Sequence, residues 1–138
     1  MKRVNISSDF FGKYKTDKEL FELVKKWVKA NLVDLVINLP LYHGNKAVCL
    51  TWQGLKNDLN KVHPPYDKKL ISFARLDDII KNSQFIIKET DKSNKPDIKA
   101  VYKFFGSVTI DNESFDVIII IKETSKTFLY DHILLLKE

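Results

Sequence analysis

Cysteine occurs once, at Cys49, so no internal disulfide and no cysteine-built metal site can form. Placed in the apolar stretch Ala47-Val48-Cys49-Leu50, that thiol reads as a core side chain. With no disulfide framework, the default compartment is the cytoplasm. Long hydrophobic runs are absent. The longest, Val117 to Ile121, falls far short of the ~18 apolar residues needed to cross a bilayer, and its β-branched make-up reads as a buried strand. The opening Met1-Lys2-Arg3-Val4-Asn5 has no apolar stretch behind it, so no signal peptide is expected. Four glycines and four prolines leave little material for linkers, and one domain over residues 1–138 is expected. The three histidines are far apart and lack HxxxH or HxH spacing, which argues against a zinc site, and no cofactor or metal is expected. Asp77 and Asp78 are neighbours on a helix and point apart, so they form no catalytic carboxylate pair. There is no Gly-rich phosphate loop and no GxSxG elbow.

What is present suffices for a core: 44% hydrophobic and 12% aromatic residues, with 30% charged and a net charge of +5. The excess of positive charge suits a phosphate-bearing partner without requiring one.

Local signals then place the elements. Thr16-Asp17-Lys18-Glu19 is a capping box, followed by Leu20, Phe21, Leu23, Val24, Trp27 and Val28 at helical spacing. Lys25, Lys26 and Lys29 form the solvated opposite face. Two short strands are predicted, Leu35 to Asn38 and Ala47 to Leu50, with Pro40 and the exposed loop His43-Gly44-Asn45 between them. Thr51 caps a second helix over Trp52–Val62, which Pro64-Pro65 stops. Ser72 opens a third over Phe73–Lys81, with Phe73, Leu76, Ile79 and Ile80 inward. A strand starts at Phe85, and Glu89 to Lys99 is a loop. Three strands follow, over Ala100–Ile110, Phe115–Glu123 and Thr127–Leu136, joined at Asp111-Asn112 and after Glu123. The expected fold is α+β, with N-terminal helices packed on a C-terminal antiparallel sheet.

Alternation sorts the last three strands into two faces. A two-residue turn at Asp111-Asn112 pairs Ile110 with Glu113 and Lys103 with Ile120. A short second turn brings Ile120 opposite Tyr130. One face then holds Phe104, Val108, Phe115, Val117, Ile119, Ile121, Leu129, Ile133 and Leu135. The other holds Lys103, Phe105, Ile118, Ile120, Lys122, Phe128, Tyr130 and His132. That second face carries the groups RNA cleavage needs. A histidine such as His132 exchanges a proton near neutral pH, Tyr130 can donate one, and Lys103 and Lys122 can neutralise a phosphorane. Phe128 or Tyr130 can stack a splayed base. His63, after the second helix, is a further acid/base candidate. The plainer reading is a solvated sheet face with a structural Tyr–His contact.

Several segments carry a family likeness. They are Gly44, Ala47 to Leu50 and Gly54-Leu55-Lys56; Leu76-Asp77-Asp78-Ile79-Ile80-Lys81-Asn82; Val101-Tyr102-Lys103-Phe104 with Val108-Thr109-Ile110-Asp111; Ile121-Lys122-Glu123; and Leu129-Tyr130-Asp131-His132. In this order Val36 to Glu138 resembles the nuclease-like domains of phage and mobile-element polyvalent proteins, grouped with the barnase–EndoU–colicin–RelE superfamily of metal-independent nucleases. The resemblance implies a barnase/RelE-like fold and a toxin-like endoribonuclease cleaving by 2′-hydroxyl transesterification. It implies catalytic roles for Lys103, Lys122, Tyr130, His132 and His63, and RNA contacts at Lys56, Tyr102 and Phe128. RNA is the expected partner, with a cognate inhibitor protein as a possible second. Tyr102 stands where the family often has histidine, which implies either impaired catalysis or an acid/base role carried by His63 or His132. The alternatives are a non-catalytic RNA- or protein-binding module of the same fold, and a phage accessory domain with no nucleic-acid role.

Overall fold

Alternation and capping signals become a seven-stranded mixed sheet with helices in a computed structural model that describes residues 2–40, 46–90, 97–125 and 127–138. The loop His43-Gly44-Asn45 lies outside the described residues, as does the middle of the loop expected over Glu89 to Lys99. Strand β1 (Val4–Ile6) precedes helix α1 (Asp17–Asn31). Strands β2 (Leu35–Asn38) and β3 (Ala47–Leu50) follow, then α2 (Trp52–Leu59), α3 (Tyr66–Ser72), a 3-10 turn (Phe73–Arg75) and α4 (Leu76–Lys81). The chain closes with β4 (Gln84–Thr90), β5 (Ile98–Ile110), β6 (Glu113–Thr124) and β7 (Phe128–Lys137). The fold is α+β, but helices and strands interleave rather than separating into halves. The sheet is also not purely antiparallel. Its order is β1-β5-β6-β7-β3-β2, with β4 also on β5, and the β1–β5 and β3–β7 pairs are parallel.

Helix α1 starts where its capping box sits. Thr16 Oγ1 accepts from the Glu19 amide at 3.2 Å, while the Glu19 carboxylate accepts from the Lys15 amide at 3.0 Å. Thr51 caps α2 in the same way, through the Gly54 amide at 3.1 Å. That helix ends at Leu59, three residues before the expected Val62. After the prolines the chain re-enters a helix at once, with Pro65 at the N-cap of α3. Ser72 precedes the 3-10 turn and α4 that together fill the expected Phe73–Lys81 span, but its hydroxyl caps neither. It lies at the end of α3, and its hydroxyl donates to the Lys69 carbonyl at 2.5 Å. Phe73, Leu76, Ile79 and Ile80 are buried as their spacing requires.

The first hairpin matches its sequence reading. Asp111 and Asn112 both take positive φ, 49° and 70°, as a two-residue turn matching strand twist demands. Ile110 pairs with Glu113 and Lys103 with Ile120. The second hairpin differs. Ile120 faces His132, not Tyr130, and Ile121 faces Tyr130. Asp131 is an extra residue on β7, a β-bulge. The bulge changes which way the start of β7 faces. Phe128 and Tyr130 point to the side of the sheet that α2, α3 and α4 touch, with Phe104, Val117, Ile119, Ile133 and Leu135. Leu129, expected in the core, is only half-buried on the other side. Cys49, its partner on β3, is likewise half-buried. Among the described residues, no helix is long and apolar enough to cross a membrane.

Candidate functional site

Strand pairing fixes the open side of the sheet in rows. Lys103, Ile120 and His132 form one row across β5, β6 and β7, and Val101, Lys122 and Leu129 form the next. Neighbouring strands lie about 4.8 Å apart, so Lys103 and His132 start about 10 Å from one another. His132 and Asp131 are consecutive, and on a regular strand they would face opposite ways. The bulge lets both face outward. His132 Nδ1 lies 2.7 Å from Asp131 Oδ2, and Lys122 Nζ lies 3.5 Å from Asp131 Oδ1. From beyond the end of α2, Lys61 Nζ comes within 3.2 Å of His132 Nδ1 and 4.0 Å of Asp131 Oδ2.

One ring nitrogen cannot both donate to Asp131 and accept from Lys61. The shorter contact to a carboxylate assigns the proton to Nδ1, with Asp131 as acceptor. In the neutral ring Nε2 then carries the lone pair and, among the described residues, has no hydrogen-bond partner. Burial pushes the Asp131 carboxyl up, but the His132 hydrogen bond and the charges of His132, Lys61 and Lys122 outweigh it and hold it at about 2. A folded carboxyl held below its unfolded value of about 3.9 adds stability above that value and loses it as pH falls. Asp131→Asn is therefore expected to cost about 1–2 kcal/mol at pH 7, with the deficit vanishing between about pH 4 and 2. Paired urea melts at pH 7 and 2.5 check this. A deficit unchanged at pH 2.5 would contradict the ion cluster.

On the other side of the same strand lies a buried network. Asp58, on α2, is fully buried and pairs with Lys69 of α3, Nζ to Oδ1 at 2.7 Å. The same ammonium donates to the Asp58 carbonyl at 2.9 Å and the Lys61 carbonyl at 3.1 Å, closing the end of α2. Asp58 Oδ2 accepts from the Tyr130 hydroxyl and from the Ile133 amide, the latter at 3.3 Å. Burial drives the Asp58 carboxyl upward against the pull of Lys69. Burial and the neighbouring Asp58 carboxylate drive the Tyr130 hydroxyl well up.

The expected site residues thus divide. Lys103, Lys122 and His132 share the open face, with Lys103 also 3.3 Å from Glu89. Tyr130 does not join them. At 2% exposure its hydroxyl is spent on Asp58, out of reach of anything on the open side. Phe128 is also a core ring, edge-on to Tyr102 with centroids 5.1 Å apart. Tyr102 lies on the covered side, its hydroxyl donating to Glu123 at 3.2 Å. Neither ring is free to stack a base. His63 is exposed after α2, and Lys56 is exposed on α2. Among the described residues neither is bonded to the cluster. Asp131 and Lys61 were missed. Alternation assigns Asp131 to the face opposite His132, and nothing in sequence marks Lys61 apart from its neighbours. Among the described residues, no group of three or more His, Cys, Asp or Glu side chains could hold a metal ion.

Comparison with known proteins gives one family. Residues 15–130 match the large polyvalent protein-associated domain 3. No curated protein and no solved structure matches the chain. The matched span runs from the α1 cap to Tyr130 and includes Gly54, Asp58 and Lys69. It supports the polyvalent-protein part of the resemblance and does not extend to the barnase–EndoU–colicin–RelE grouping. The chain belongs to the large polyvalent protein-associated domain 3 family.

Proposed function

We propose that the open face of the sheet is a metal-independent ribonuclease site centred on Asp131 and His132. The carrying observation is the Asp131–His132 pair on the open face, with Nε2 unbonded among the described residues and Lys122 and Lys61 beside it. Asp131 holds the ring in the tautomer whose Nε2 can take a proton. Nε2 removes the 2′-hydroxyl proton of the RNA. The 2′-oxygen bonds to the adjacent phosphorus, the bond to the 5′-oxygen breaks, and the departing oxygen takes a proton from solvent. Lys122 and Lys61 neutralise the charge gathering on the phosphoryl oxygens. Lys103, in the same row as His132 but two strands away, suits a neighbouring phosphate of the same RNA strand. A barnase/RelE-like ancestry for the fold belongs to this same reading.

His132→Ala is expected to lower cleavage of a single-stranded RNA by about 10²–10⁴-fold, the usual worth of a placed acid/base group. Lys122→Ala should lower it by about 10²-fold. Cleavage should persist in EDTA. Both variants folded, with cleavage at the wild-type rate, would eliminate the reading. One observation favours a second reading, a module that binds RNA without cutting it. With Tyr130 sealed in the core, His132 is, among the described residues, the one histidine on the open face, with no second proton donor of that kind near it. Salt-sensitive RNA retention with no product would select that alternative.

A further inference from the structure

The Asp131–His132 pair exists because a bulge breaks the alternation of β7, and a bulge needs a cause. Without it, Tyr130 inward means Asp131 outward and His132 inward, beneath α2. The two members of the pair would then stand on opposite faces of the sheet. The residues bracketing the bulged pair are Tyr130 and Ile133. Both donate to one oxygen, Asp58 Oδ2: Tyr130 through its hydroxyl and Ile133 through its amide at 3.3 Å. That oxygen comes from α2, over seventy positions away, on the covered side. Its partner oxygen is held by Lys69 at 2.7 Å, and Lys69 is anchored in turn on the carbonyls of Asp58 and Lys61. Gly54, one turn before Asp58, lets α2 approach close enough, for a side chain there would meet the Tyr130 carbonyl oxygen at 2.4 Å.

We infer that Asp58 is a positioning residue for the open-face site: from beneath the sheet its carboxylate clasps both ends of the β7 bulge and so turns Asp131 and His132 outward together. Lys69 is its buried counter-charge. The same segment delivers Lys61 to the ring, because Lys69 ties down the Lys61 carbonyl while the Lys61 side chain reaches His132. The buried network and the exposed cluster are thus two sides of one device, joined through four consecutive residues of β7, Tyr130 to Ile133. Only the catalytic meaning of this device rests on the proposed function, and its test reads the imidazole rather than RNA cleavage.

The test is ¹⁵N NMR of the His132 ring, which distinguishes Nδ1–H from Nε2–H, in two charge-balanced double variants of the full chain. Asp58→Asn with Lys69→Met removes the ion pair but keeps a carbonyl acceptor for Tyr130 and Ile133. Asp58→Leu with Lys69→Met removes the ion pair and the acceptor. The asparagine variant should keep the wild-type Nδ1–H signature. The leucine variant, folded by circular dichroism, should lose it for the Nε2–H form of a ring without a carboxylate partner. A purely structural role for Asp58 would lower the melting temperature and leave the tautomer alone. A folded leucine variant with the wild-type tautomer overturns the proposal. Tyr130→Phe keeps the ring and removes one of the two bonds, and it decides the matter if the leucine variant does not fold. Its His132 signal should shift or split, and an unchanged signal overturns the proposal equally.

Discussion

Lys69→Met is expected to cost the fold about 3–5 kcal/mol at pH 7, because it leaves the Asp58 carboxylate buried without its counter-ion. The cost is large for reasons the geometry makes specific. Both side chains are almost wholly withdrawn from water, at 2% and 0% exposure, so water cannot replace the missing charge. The lost ammonium also deserts the Asp58 and Lys61 carbonyls at the end of α2. The Asp58 carbonyl keeps the Lys61 amide at 3.1 Å, but the Lys61 carbonyl, among the described residues, loses its donor and adds to the charge penalty. The pH dependence follows from the sign of the shift. Burial already holds the Asp58 carboxyl above its unfolded value of about 3.9, and with Lys69 gone only Tyr130 and His132 pull against it, so its folded value rises further. A group raised on folding takes up its proton more readily in the folded chain, so acidification stabilises the fold. The deficit of the variant against wild type should therefore narrow as pH falls from 7 towards 4. Urea melts of both proteins at each pH measure it. Lys69→Met with Asp58→Asn should recover part of the loss at pH 7 by removing the orphaned charge. A single variant within 1 kcal/mol of wild type would mean that Asp58 and Lys69 are not buried together.

How much of this was legible in the sequence follows the range of the interactions involved. Thr16 and Thr51 announce their helices because a cap is settled within three residues. Asp111 and Asn112 announce their hairpin because a two-residue turn fixes register by itself, and that register then holds from Ile110↔Glu113 back to Lys103↔Ile120. Lys122 follows from the same count, whereas His132 is counted onto that face through a register the structure does not have, Ile120↔Tyr130, and the bulge is what puts it there. The second hairpin fails for a non-local reason. Its bulge answers to Asp58, on a helix far back in the chain, and no residue in Phe128–Asp131 signals that contact. Alternation alone, blind to that contact, turns Tyr130 and Phe128 outward. Helix α3 was hidden by Pro64-Pro65, which reads as a terminator, although a proline just before a helix also suits its first turn. The short β1 was hidden because its pairing partner, β5, lies a hundred residues downstream. Local chemistry was readable, while contacts that join distant segments were not, and the site depends on one of the latter.

Gly54→Ala is expected to destabilise the protein by about 2 kcal/mol, against the usual sign for this change in a helix. Alanine normally gains up to about 1 kcal/mol over glycine in a helix interior. Here the added Cβ would stand 2.4 Å from the Tyr130 carbonyl oxygen and 3.5 Å from its carbon. That oxygen belongs to backbone next to the bulge and has no rotamer to escape through. Helix α2 must therefore lift from β7, and overpacking of this kind costs about 1–3 kcal/mol or more. The lift also stretches contacts that α2 carries. Asp58 would recede from Tyr130 and Ile133, and Lys61 from His132. A drop of roughly 5–10 °C in melting temperature should accompany the change. The His132 ring should also show weakened coupling to Asp131 even in the folded variant. Melting curves and the ring ¹⁵N spectrum together distinguish a local clash from a loss of bulge control. A variant as stable as wild type would show that α2 does not lie against the β7 backbone, and the support beneath the Asp131–His132 pair would be gone with it.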